Sequence, residues 1–127
     1  MERKNVLKEK SFAFALRVVK AYKYLINEKK EFVLSKQLLR CGTAIGALVR
    51  EAEYAQSLPD FINKMNVALK EANETEYWLM LLNESEYIEH EVYSSVVSDC
   101  QELLRLLIST INTSKKNQKS TKNIVNC

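Results

Sequence analysis

Four charged side chains stand where chemistry could be built. Arg40, Glu51, Glu71 and Glu74 lie one step off the apolar seams of two consecutive helical patterns, at positions that flank a bundle core. Arginine's planar fork can hold two carboxylates at once, so Arg40 against Glu71 or Glu74 across the two helices is the pairing the spacing favours. The structural role of such a cluster is an ion pair that fixes register or a subunit contact. The functional alternative is a carboxylate metal site of the di-iron bundle kind, and it fails a count. That site needs Glu-x-x-His on two helices, whereas the single histidine, His90, sits between Glu89 and Glu91 at the start of a later helix. His90 reads as a solvated end residue, and no metal or cofactor is expected.

Nucleophiles and phosphate loops fare no better. Cys41 and Cys100 fall on apolar seams, where a thiol behaves as a small apolar group, and a reduced packed pair is expected of them. Cys127 ends the chain and is the cysteine expected to react. No cysteine has a histidine partner in register, so nucleophilic catalysis has no support. Gly42 and Gly46 lie inside a helical pattern, without the strand–turn–helix context and Lys-Thr ending of a phosphate loop. No enzyme is expected. Basic residues offer a different chemistry: Arg17, Lys20 and Lys23 lie off the seam of the first helix, and Lys36 and Arg50 on the second. They form either a solvated face or a strip that tracks a nucleic-acid backbone.

The elements that carry these residues follow from composition and period. The chain has 127 residues, enough for one domain and one shared core. Two Gly and one Pro leave few turn signals, which favours a few long helices. The formal charge of +3 conceals a partition. Residues 1–30 carry nine Lys or Arg against three Glu, residues 31–114 carry six against thirteen acids, and residues 115–127 add four Lys. An anionic partner should therefore meet the first helix or the tail. An odd number of cysteines, with no apolar run long enough to span a membrane and no leader pattern, points to a reduced, cytoplasmic setting.

Four helices are predicted. The first runs from about Lys10 to Asn27 with Phe12, Ala15, Val19, Tyr22 and Ile26 as its seam, broadened by Leu16 and Leu25. The second runs from Val33 to Gln56 on Leu34, Leu38, Cys41, Ile45, Leu48, Ala52 and Ala55. The third starts at Ser57 and Asp60, a capping pattern with Pro59 in the first turn, and carries Phe61, Met65, Ala68, Ala72, Thr75, Leu79 and Leu82 to about Asn83. The fourth runs from Glu89 to Thr113 on Tyr93, Val97, Cys100, Leu104, Leu107 and Ile111. Spacings of four and three repeat throughout, which is a heptad rhythm, and the connections are short. An all-α, antiparallel up-and-down four-helix bundle over residues 10–113 is the expected fold. Residues 1–9 are expected to fray, and 114–127 to form a disordered basic tail. Gly42, Ala44, Gly46 and Ala47 strip bulk from the second helix. Each interior Gly costs about 1 kcal/mol relative to Ala, so a close helix neighbour should offset it, from this chain or from a second subunit.

The run Arg40-Cys41-Gly42-Thr43-Ala44-Ile45-Gly46-Ala47, then Glu51-Ala52, then Asp60-Phe61 and Lys70-Glu71-Ala72-x-Glu74-Thr75-x-x-Trp78-Leu79, resembles a known family. It is that of the proteins named after 23S ribosomal RNA intervening sequences, to which the accessory variability determinant proteins of diversity-generating retroelements look related. The resemblance covers roughly residues 10–112, with Ala44 where Ser is usual and Leu48 where Asn is common. It implies an up-and-down bundle that assembles into a ring, commonly a pentamer. For the retroelement branch it also implies binding of nucleic acid and of a reverse transcriptase. The functional expectation is a non-enzymatic homo-oligomeric adaptor that binds structured RNA or DNA. The alternative is a protein-binding scaffold with no nucleic-acid role.

Overall fold

The computed structural model describes residues 5–126, with side chains through Ser120. Four helices occupy nearly all of it: α1 (Val6–Asn27), α2 (Leu34–Ala52), α3 (Leu58–Glu84) and α4 (His90–Asn126). No strand occurs among the described residues.

Three of the four helix starts have a local cause in a side-chain cap. The Asn5 side chain accepts from the Lys8 N–H at 3.0 Å and opens α1. Ser57 opens α3 by accepting from the Asp60 N–H at 3.2 Å, while Asp60 accepts in return from the Gln56 N–H at 3.2 Å. Pro59 sits in that first turn, where its missing N–H goes unmissed. α2 has no side-chain cap at Val33; Glu31 caps it from upstream. Its carboxylate accepts from the N–H groups of Val33 (3.2 Å), Leu34 (3.0 Å) and Ser35 (2.7 Å), and the Ser35 hydroxyl donates to the Glu31 carbonyl at 2.7 Å. Burial pushes the Glu31 carboxyl up, but those three backbone donors outweigh it and hold the group below the usual carboxylate range.

Each helix packs on two neighbours, α1 on α2, α2 on α3, α3 on α4 and α4 on α1, the last contact being the thinnest. Numbering falls on one helix as it rises on the next. Lys8 pairs with Glu53 and Val18 lies over Gly42; Glu51 pairs with Lys64 and Arg40 with Glu71. Cys100 donates to the Ala72 carbonyl and Gln101 to Glu76, while Lys10 pairs with Glu102 and Arg17 with Asp99. The core runs down the middle on Phe14, Leu25, Leu38, Ile45, Leu79, Leu82, Leu103 and Leu107, each almost wholly buried.

The α3 seam is buried as its spacing predicts, from Met65 through Leu82, with Phe61 half-buried. The α1 seam is not. Inward positions are Leu7, Ser11, Phe14, Val18 and Leu25, one step away from the expected line, whereas Phe12 is 61% exposed and Leu16 57% exposed. α1 carries two apolar lines, and sequence alone does not say which meets the core. Three boundaries also move. α1 starts at Val6, so residues 6–9 are helical and not frayed, and α2 stops at Ala52, four residues short of Gln56. α4 continues to Asn126, where a disordered tail from residue 114 is expected. No Gly or Pro follows Pro59 to stop that helix, Ser114 is buried one heptad step beyond Ile111, and propagating a formed helix costs little. Met1–Lys4, within the expected frayed terminus, and Cys127 lie outside the described residues.

The close neighbour of the glycine stretch is α1. A Cβ on Gly42 would lie 2.8 Å from both methyls of Val18, and one on Gly46 would lie 3.3 Å from the Ser11 carbonyl oxygen. The lost helix propensity is thus offset inside one chain, by backbone-close packing of α1 on α2.

Candidate functional site

The structure brings Arg40 to both acids. Its guanidinium donates to Glu74 at 2.7 Å and to Glu71 at 3.3 Å, and Trp78 Nε1 donates to the same Glu74 oxygen at 3.3 Å. The Glu74 hydrogen bond raises the Arg40 pKa, and the same bond holds the Glu74 carboxyl below its usual range. Half of the Arg40 side chain remains in solvent, so the cluster bridges α2 and α3 at the surface and adds little stability. Glu51 takes no part in it, pairing with Lys64 at 3.1 Å one end further on. The Trp78 contact has no signature in sequence beyond its four-residue spacing from Glu74.

Basic residues grouped by sequence separate in space. Arg17 is spent on α4, donating to Asp99 at 2.7 Å, to the Ser95 hydroxyl at 3.0 Å and to the Ser95 carbonyl at 3.3 Å. Lys20, Lys23, Lys36 and Arg50 are exposed and enter no ion pair among the described residues. Lys36 and Arg50 lie at opposite ends of α2, about 21 Å apart along its axis. Lys20, Lys23 and Lys36 belong to one end of the molecule and Arg50 to the other, so no single five-residue patch exists.

Two surface grooves flank α1. One, of about 540 Å³, lies against α2, with Phe12 and Ala15 facing Thr43, Gly46 and Ala47 between Lys8 and Arg50. The other, of about 430 Å³, lies against α4, with Ala21, Tyr24, Ile88, Val92 and Val96 as its apolar lining and Arg17, Lys20 and Glu89 at its edges. The first follows from the second apolar line of α1, which the sequence shows but does not orient; the second lies on the other side of that helix. Of the aromatic side chains, Tyr24 and Tyr77 are exposed, while Tyr22 and Trp78 are half-buried.

Little else among the described residues is reactive. Cys41 and Cys100 are buried free thiols. Burial pushes both up, Cys100 to about 12, so neither forms a thiolate near neutral pH. His90 is exposed, its Nε2 3.4 Å from the Ser94 hydroxyl. Among the described residues no three His, Cys, Asp or Glu side chains group to hold a metal, and no helix is long and apolar enough to cross a membrane.

The sequence model of the 23S rRNA-intervening sequence proteins matches residues 3–109. No curated protein matches the chain. Among solved structures, a protein of unknown function from the S23 ribosomal protein family of Bacteroides thetaiotaomicron VPI-5482 is similar, with a TM-score of 0.83 and 63% identity. The match covers 84% of this chain and 98% of that one. With more than three quarters of its length inside the family match, the chain belongs to the 23S rRNA-intervening sequence protein family.

Proposed function

We propose that this protein is a non-enzymatic, cytoplasmic adaptor that works as a homo-oligomer of antiparallel up-and-down bundles and binds structured RNA or DNA through basic surface. The observation that carries the reading is the second apolar line of α1. Phe12 stands more than half exposed beside the small-residue surface of Gly46 and Ala47, and Leu16, one turn further along α1, is also more than half exposed, a shape that suits a helix of another copy. A ring, with the pentamer favoured by family resemblance, would repeat a modest set of unpaired lysines several times, and each phosphate contact adds to one salt-dependent term. Kinship to the retroelement accessory proteins would make a reverse transcriptase one partner.

Light scattering tests the assembly: a multiple of 14.7 kDa is expected, and a monomer at micromolar concentration removes the oligomer. Anisotropy against a structured RNA and a DNA duplex at two salt concentrations tests the binding. Micromolar affinity that collapses with salt and is weakened in a Lys20/Lys23/Lys36 triple Ala variant supports it; no binding at low salt removes it.

The groove between α1 and α4 favours a second reading, a protein-binding scaffold. Its apolar lining is open to solvent, with Tyr24 39% and Val92 47% exposed, and could take an apolar side of a partner helix. Loss of a protein partner on Val92→Glu, with nucleic-acid binding unchanged, would favour it.

A further inference from the structure

α4 outruns the bundle. It has 37 residues against 27 for α3, its partner, a difference of about 15 Å in length. The Cys100–Ala72 and Gln101–Glu76 contacts fix the register between them, and by that register the first residue of α3 stands opposite roughly residues 114–119 of α4. Ser114 is the last buried side chain among the described residues. From there α4 runs alongside and then past the start of α3.

That overhang has one charge sign. No Asp or Glu follows Glu102, while Lys115, Lys116, Lys119 and Lys122 fall within the last three turns. Lys115, Lys116 and Lys119 are exposed and enter no ion pair among the described residues, unlike Lys8, Lys10, Arg17, Arg40 and Lys64, which are all held by acids. Spacings of one and three keep Lys115, Lys116 and Lys119 along one side of the helix. The segment also lies past the family match, which ends at residue 109.

We infer that the end of α4 is a basic helical arm that grips the phosphate backbone of a nucleic acid, supplying this chain with a contact outside the family domain. The inference rests on the nucleic-acid reading above and says where on this chain the phosphates lie. A rod about 10–12 Å across matches the major groove of a DNA duplex and exceeds what the deep, narrow major groove of an RNA helix admits. The lysines would meet phosphate in either case, and sequence preference should be absent because none of the contacts reaches a base.

The test uses the full chain, titrated against a DNA duplex and an RNA hairpin across a range of salt. The Lys115→Ala/Lys116→Ala/Lys119→Ala variant is compared with the Lys→Arg triple at the same positions. For duplex DNA each lost contact lowers the slope of log affinity on log salt by about 0.9, so the Ala variant should lose about 2 to 3 and the Arg variant should keep it. Core packing is untouched, so the unfolding midpoint should hold. An unchanged slope in the Ala variant, with binding lost in the Lys20/Lys23/Lys36 variant, overturns the arm and leaves the adaptor standing. Binding to anionic vesicles alone overturns the arm in favour of a membrane surface, and no binding of any nucleic acid by the full chain removes both proposals.

Discussion

α1 and α3 are both long, both amphipathic and both half of a tight pair, yet one is legible in sequence and the other is not. In α3 a single line, Met65, Ala68, Ala72, Thr75, Leu79 and Leu82, accounts for nearly all the deep burial. In α1 two lines run side by side, and on the outer one Ala15, Val19, Tyr22 and Ile26 are half-buried while Phe12 and the adjoining Leu16 are exposed. Phe12 and Phe14 make the contrast sharp: two residues apart, one is 61% exposed and the other 1%. A helix with one apolar line has one way to sit. One with two must be oriented by its neighbours, and what it leaves exposed becomes surface for something else.

Substituting each phenylalanine is the strongest way to break this contrast. Phe14→Ala should cost about 3–5 kcal/mol of unfolding free energy, from lost burial and the cavity left behind. Phe12→Ala should cost under about 0.5 kcal/mol in the dissociated chain, and should instead lower the assembled mass seen by light scattering. Equal losses in urea titrations at high dilution would show that both lines face the same core.

A subtler handle is the glycine contact that seats α1. Gly42→Ala places a methyl 2.8 Å from the two Val18 methyls, and Val18 is β-branched and fully buried. Overpacking of about 1–3 kcal/mol should outweigh the roughly 1 kcal/mol of helix propensity gained, for a net loss of up to about 2 kcal/mol. Gly46→Ala should be milder, since its tightest neighbour is 3.3 Å away. A cycle with Val18→Ala should show favourable coupling with Gly42→Ala and none with a substitution in α3. Additive effects at positions 18 and 42 would mean that α1 is not seated by this contact.

The smallest effect sits at the turn into α2. Glu31→Gln weakens three charge-assisted bonds to backbone N–H groups and should cost about 1 kcal/mol at neutral pH. The Glu31 pKa is lowered in the folded state, so the unfolded chain binds its proton first. Its stabilisation is therefore complete above the ordinary carboxylate pKa and fades as pH falls through the lower folded value. Urea midpoints of wild type and Glu31→Gln should differ at pH 7 and converge in acid; a gap of constant size would rule out the charge as its cause.

Much of the candidate site was readable in the same uneven way. Arg40 meets Glu71 and Glu74 because residues flanking two heptad seams must face each other when the seams close. Glu51 goes to Lys64 because it lies three turns away from Arg40 on the same helix, and Arg17 goes to Asp99 because α4 happens to pass it. Neither partner is marked in the local sequence. The overhang of α4 was hidden for a related reason. Ser, Thr, Asn and Lys have the composition of a loose tail, and only the absence of a stop signal after a well-anchored helix lets the backbone continue.

By itself the sequence determined the class and count of the elements, the seam of α3, most of that of α2 (Val49 is buried beside the expected, half-buried Leu48, and Ala55 lies past the helix end), the capping turn at Ser57–Asp60 and the presence of a glycine stretch. These follow from period and local hydrogen bonding, which act over a few residues. The tertiary structure alone decided which line of α1 faces inward, which helix closes on Gly42 and Gly46, which basic residues keep their charge free, and how far α4 projects. Each of those depends on what another helix presents at a distance in sequence, and no local pattern encodes a neighbour.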